Sequence, residues 1–120
     1  MLLWTKQIIF AKNVALLIQF IFAHGYSVTF GEAYRTQEQA QIYFKEHKGI
    51  EHSLHCKRLA VDLNLHYKDG KYLTDSRDYL FAGKYWESLH IHNRWGGNFC
   101  KLSHGTKCMI DGNHFEMQDL

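Results

Sequence analysis

Leu59-Ala60-Val61-Asp62-Leu63-Asn64-Leu65-His66-Tyr67 alternates more cleanly than any other part of the chain. Leu59, Val61, Leu63 and Leu65 recur at every second position, with Ala60, Asp62, Asn64 and His66 between them. A period of two marks a strand with one buried and one open face. Asp62 therefore belongs to the polar face of a core strand. Lys68-Asp69-Gly70-Lys71 follows with hairpin-turn chemistry, and Tyr72-Leu73 would begin the return strand.

Upstream, Phe10, Val14, Leu17 and Ile21 keep helical spacing, Leu16 and Phe20 widen the stripe, and Gly25 stands where a helix would stop. Lys6 and Lys12 before the run Val14 to Ala23 imitate a targeting signal. That run is shorter than the about 20 apolar residues of a membrane span. Ile21-Phe22-Ala23 is also a poor cleavage pattern, so a buried helix is the expectation. Tyr26 to Tyr34 reads as a strand with Arg35 at its end. Thr36-Gln37-Glu38-Gln39 has the form of a capping box, and Ala40, Tyr43, Phe44 and His47 continue an amphipathic helix. Residues 48–58 read as loop.

Downstream, Thr74, Asp75 or Ser76 can cap a helix reaching about His90, with Gly83 as a point where it could break. Trp95-Gly96-Gly97 reads as a tight turn, Asp111-Gly112-Asn113 as another, and His114 to Met117 as a short strand.

A chain of 120 residues with 46% apolar and 15% aromatic residues and no proline suits one folded domain, 1–120, around one core. Its 14 Lys and Arg are interspersed with 12 acids, for a net charge of +2, which does not suggest nucleic acid as a partner. Cys56, Cys100 and Cys108 form no C-x-x-C pair, so neither a disulfide framework nor a zinc ribbon is expected, and the compartment reads as reducing. The unusual count is nine histidines. His90, His92, His104 and Cys100/Cys108 match no zinc module in their spacing.

Two segments carry chemistry together: Ser53-Leu54-His55 leading to Asp62, and Asp111-Gly112-Asn113-His114. They offer two imidazoles and a carboxylate, and three protein ligands with one open position are the arrangement of a catalytic zinc site. His55 and Asp62 are seven residues apart, an odd separation that would put them on opposite faces of one regular strand. His55 must then fold back from the preceding loop, and His114 must lie beside Asp62. Asp111 could approach the metal without binding it.

The pattern resembles the M15 family of peptidoglycan metallopeptidases, especially the short phage endolysins that cut between L-alanine and D-glutamate. Ser-x-His with Asp seven residues beyond the His is matched by Ser53, His55 and Asp62, and acid-x-x-His by Asp111 and His114. Gly31-Glu32-Ala33-Tyr34-Arg35-Thr36 and Arg94-Trp95-Gly96-Gly97 are also similar to those endolysins, so the resemblance spans about residues 25–117. It implies an α+β fold, a small antiparallel sheet with packed helices. It also implies one zinc ion on His55, Asp62 and His114, with Asp111 as general base and Arg35 stabilising the substrate carbonyl or oxyanion. Ser53 would hydrogen-bond substrate. Apart from the resemblance, Trp95 could form a wall of the cleft or serve in packing.

Two departures accompany the match. Many relatives carry Glu where this chain has Asp111, which shortens the base by one methylene, and many carry Gly where it has Arg58. The implied partner is the peptidoglycan stem peptide, with no nucleic acid and no stable membrane insertion. The implied state is a monomer held in the cytoplasm of the producing cell until release to the wall. Rival readings are a D-alanyl-D-alanine carboxypeptidase and a catalytically silent, zinc-containing wall-binding domain. Glu116, on the strand face of His114, is either a support for the site or a solvated residue.

Overall fold

The first helix, α1 (Leu3–Ala23), buries the expected stripe: Phe10, Leu17 and Ile21 lie in the core, and Lys6 and Asn13 share that face. The structure, a computed structural model, describes residues 1–45, 53–102 and 111–120. The Lys6 ammonium donates to Asp119 Oδ1 at 2.6 Å and to the Leu120 carbonyl at 2.7 Å, tying the helix to the last strand's end. Because α1 begins at Leu3 it runs 21 residues, and by length and composition alone it could cross a membrane. Shortness is therefore no argument against a span, as the sequence reading had it. Here α1 packs its buried face on the sheet and the third helix. Gly25, at φ +86°, ends the helical run, in a left-handed conformation that glycine adopts without strain.

Strand β1 (Ser27–Phe30) is shorter than expected. It pairs antiparallel with β2 (Ala60–His66), from Ser27 opposite His66 to Phe30 opposite Leu63. Beyond Phe30 the chain still bonds to β2, through Gly31 N–H to the Asp62 carbonyl and Asp62 N–H to the Glu32 carbonyl, both 2.7 Å. Helix α2 (Gln37–Lys45) opens as its capping box predicts, with the Gln39 N–H donating to Thr36 Oγ1 at 3.1 Å. His47 and residues 48–52 of the anticipated loop lie outside the described residues.

On β2, Leu63 and Leu65 are fully buried and Val61 nearly so, on one face, while Asp62, Asn64 and His66 are half-buried on the other. The return strand at Tyr72-Leu73 reduces to a single bridge between His66 and Tyr72. A short 3-10 turn, Ser76–Tyr79, is capped by Asp75 Oδ1 and leads into α3 (Leu80–Leu89). Gly83 does not break α3. It makes room, since a Cβ there would stand 2.1 Å from Trp95 Cδ2.

Strand β3 (Asn93–Trp95) takes in Trp95, expected to begin a turn, and a 3-10 segment at Gly96–Leu102 follows it. Strand β4 (His114–Met117) lies between β2 and β3, giving the antiparallel order β1-β2-β4-β3. Trp86, Phe115, Leu17, Leu63 and Leu65 fill the space between sheet and helices.

Candidate metal centre

Strand register brings the first two groups together: Asp62 on β2 is paired directly with His114 on β4. Their side chains leave the same face, and His114 Nδ1 stands 3.1 Å from Asp62 Oδ1. The third arrives from the 3-10 turn Leu54–Lys57 just before β2. There the His55 N–H donates to Ser53 Oγ at 3.2 Å, which caps the turn, and Arg58 reverses the chain with φ at 56°. His55 is thus folded back over the strand, and its Nε2 lies 3.4 Å from Asp62 Oδ1.

The ligand atoms of His55, Asp62 and His114 lie within 4.8 Å of one another. A tetrahedral ion with bonds of about 2 Å has edges of about 3.3 Å between ligands. The two edges that meet at Asp62 Oδ1, 3.4 and 3.1 Å, match it. The far nitrogens are engaged as well. His55 Nδ1 lies 3.2 Å from the Ala33 carbonyl, an acceptor that a proton on Nδ1 would satisfy, so Nε2 is the nitrogen that faces the cluster. His114 Nε2 faces Glu116 Oε1 at 2.7 Å, which leaves Nδ1 toward Asp62.

Asp111 sits beside this group without joining it, its Oδ2 4.0 Å from His114 Nδ1. Its turn is pinned by Trp95 Nε1 donating to the Gly112 carbonyl at 2.6 Å and by Gly112 N–H donating to Ser76 Oγ at 2.9 Å. Gly96 permits the approach, because a Cβ there would come within 2.0 Å of the Asp111 carbonyl oxygen.

No family model matches the sequence, and no curated protein matches it significantly. Solved structures do. The L-Ala D-Glu endopeptidase ChiX of Serratia marcescens aligns over 91% of this chain and 77% of its own, with a TM-score of 0.70 and 16% identity. A mutant of the vancomycin resistance D,D-pentapeptidase VanY, from a VanB-type resistance cassette and in complex with Zn(II), aligns over 90% and 70%, with a TM-score of 0.61 and 17% identity. The chain has the M15-type peptidase fold.

Within this M15-type fold the donor set suits zinc: two imidazole nitrogens, one carboxylate oxygen, and hydrogen-bond partners behind both rings. The charges cooperate. Burial opposes ionisation of Asp62, but hydrogen bonds from His114 and His55 outweigh it and hold the carboxyl at about 2. Burial likewise disfavours charge on His114, yet Asp62 and Glu116 raise its pKa to about 9. Glu116 is buried too, and His114 and Arg94 keep it below the usual carboxylate range. Asp111 moves the other way: burial raises it, with Asp62 and Glu116 adding to the effect against the two imidazoles.

The remaining expected site residues fall in different places. Arg35 is next to the cluster but behind it: its N–H donates to the His55 carbonyl at 3.3 Å, and its guanidinium pairs with Glu32 and lies over Tyr43. Ser53 is buried as the cap of the His55 turn. Trp95 corrects the sequence reading: at 4% exposure it cannot wall a cleft, and it packs between Gly83 and Gly97 while anchoring the Asp111 turn. His66 is held by Thr29 and the Gly70 carbonyl, away from the cluster. Glu116 is not solvated, and the period-two rule that puts it on the face of His114 was the signal for it. Glu32, Arg94 and Phe99 were missed, since only the packed fold brings them near.

Proposed function

We propose that the chain is a zinc-dependent peptidase of peptidoglycan that hydrolyses the L-alanyl-D-glutamate bond of the stem peptide. The observation that carries this reading is the cluster itself: His55 folded over the Asp62–His114 strand pair, with Asp111 held just outside it. Zinc, when bound, polarises a carbonyl and acidifies water. The chain's own groups divide the rest. His55, Asp62 and His114 hold the ion. Asp111 Oδ2 takes a proton from the attacking water and returns it to the leaving amine, and its raised pKa suits both transfers. Arg35 is the cation next to the cluster, and on turning from Glu32 its planar fork would hold the carbonyl oxygen as it gains charge.

A recess of about 180 Å³ opens beside Asp111, lined by Tyr72, Thr74, Ser76 and Asn113. Such neutral hydrogen-bonding groups suit the amides of an extended peptide. The similarity to the endopeptidase ChiX supports this choice of bond, and the similarity to the D,D-pentapeptidase VanY supports cleavage of a D,D bond as the second reading. In our reading the protein is a monomeric phage or prophage lysin, kept in the producing cell's cytoplasm and acting on the wall after release.

The test is digestion of purified sacculi by the wild type, by Asp111→Ala and by chelator-treated protein, with products identified by mass. Whole stem peptides with new amino termini, lost with the chelator and restored by zinc, are the expected products. Release of terminal D-alanine alone would move the assignment to a carboxypeptidase. Zinc uptake without cleavage of any bond would leave a silent wall-binding domain.

A further inference from the structure

Glu116 shows only 5% of its surface, and both of its carboxylate oxygens are engaged. Oε1 meets His114 Nε2 at 2.7 Å, and Oε2 accepts from Arg94 Nε at 2.9 Å and from Arg94 Nη2. Arg94 is the cross-strand partner of Glu116 on β3. The two main chains are joined a second time, because Trp86 Nε1 donates to both the Arg94 and the Glu116 carbonyls, at 3.1 and 3.0 Å. Arg94 also lies over the Phe99 ring, 5.6 Å from its centroid, and that ring sits 5.6 Å from the His114 ring. His114 is therefore enclosed by a loop of contacts that returns to it through Glu116, Arg94 and Phe99.

His55 has a weaker arrangement. Its Nδ1 meets the neutral carbonyl of Ala33 at 3.2 Å, and the Glu32 carboxylate, paired with Arg35, stays beyond hydrogen-bond reach at 3.7 Å. A carboxylate draws the far N–H proton more strongly than a carbonyl does and leaves more electron density on the nitrogen that faces the metal. It also fixes the tautomer, since an acceptor at Nε2 requires the proton there and frees Nδ1.

We propose that Glu116, held by Arg94, is a positioning residue that fixes His114 with Nδ1 toward the metal and makes it the stronger of the two imidazole ligands. This rests on the zinc reading above. Glu116→Gln keeps the volume but removes the charge, and it sets an amide N–H₂ against either Arg94 or His114. In the second orientation the amide donates to Nε2 and drives the proton onto Nδ1, where the metal should bind.

The experiment measures zinc dissociation constants of the full chain by competition with a chromogenic chelator. It compares the wild type with Glu116→Gln, Arg94→Gln and His114→Ala. Loss of a hydrogen-bond partner behind a ligand costs about 10–100-fold in affinity. That range is expected for Glu116→Gln, with a smaller loss for Arg94→Gln and shifted visible bands in the cobalt-substituted protein. Unchanged affinity in Glu116→Gln, with binding lost in His114→Ala, would overturn the positioning role and leave the zinc site standing. Absence of zinc binding by the wild type would remove both. Should Glu116→Gln fail to fold, ring nitrogen resonances of zinc-loaded wild type decide the matter. A slowly exchanging proton on His114 Nε2 is the expected result, and a proton on Nδ1 would contradict it.

Discussion

Asp111 Oδ2 stands 4.0 Å from His114 Nδ1, the same nitrogen that Asp62 Oδ1 meets at 3.1 Å. Two carboxylates thus address one imidazole, and in the proposed mechanism the difference in reach separates a ligand from a base. Asp62 extends from a strand in register with His114, whereas Asp111 belongs to the turn that Trp95 and Ser76 pin.

Asp111→Ala should consequently lower kcat by about 10²- to 10⁴-fold, the usual range for a lost general base. The KM and one equivalent of bound zinc should persist. Steady-state kinetics on a stem peptide together with a zinc titration would test this. Loss of the metal along with activity would mean that Asp111 is a ligand.

His114 supplies a pH prediction. Without metal its folded pKa is raised from 6.5 to about 9, because Asp62 and Glu116 outweigh the burial that opposes charge. A raised folded value means that the folded form holds the proton longer. The stability it contributes is then complete below about 6.5 and is lost as pH climbs through about 9. Metal at Nδ1 must displace a proton, so zinc uptake near pH 7.5 should release close to one proton from His114 and tighten as pH rises towards 9. Calorimetry in buffers of different ionisation enthalpy would measure that proton, and a release near zero would contradict the assignment.

Gly83→Ala sets two effects against each other. Alanine favours a helix interior by about 1 kcal/mol. The new Cβ would stand 2.1 Å from Cδ2 of Trp95, a rigid and buried ring. Overpacking costs about 1–3 kcal/mol, and a contact this close belongs at the upper end. A net loss of about 1–2 kcal/mol is expected from these two figures. Chemical denaturation would read it, and an unchanged midpoint would show that the indole can move.

Tyr79→Phe probes the link between β2 and the segment before α3. The Tyr79 hydroxyl donates to the Leu73 carbonyl at 2.8 Å and accepts from the Leu65 N–H at 3.0 Å. Its removal leaves both groups buried without that partner, at a cost of about 1–3 kcal/mol. Burial, chiefly, pushes the phenol to about 12. The unfolded chain therefore ionises first, and the wild type should lose stability between pH 10 and 12 through a contribution that Tyr79→Phe lacks. Denaturation of both proteins across that pH range would compare them.

The alternation from Leu59 to Tyr67 was enough to place Asp62 on the open face of a strand, and the helical stripe of Phe10, Leu17 and Ile21 was enough to bury α1. Both follow from periodicity, a local property of the chain. The spacing of His55, Asp62, Asp111 and His114 likewise contained the cluster, because an odd separation on a strand demands a reversal and the 3-10 turn at Leu54–Lys57 supplies it. What only the tertiary structure decided were contacts between segments far apart in sequence. Trp95 reads locally as an aromatic in a glycine turn and becomes a core residue because Gly83, twelve positions earlier, leaves space for its ring. Glu116 acquires its partner when β3 pairs with β4, and Arg35 meets the His55 carbonyl, twenty positions on, when the chain beyond β1 stays bonded to β2. Sequence patterning specifies which face a side chain leaves from. Which groups it meets there depends on strand register and packing, which are set by the whole fold at once.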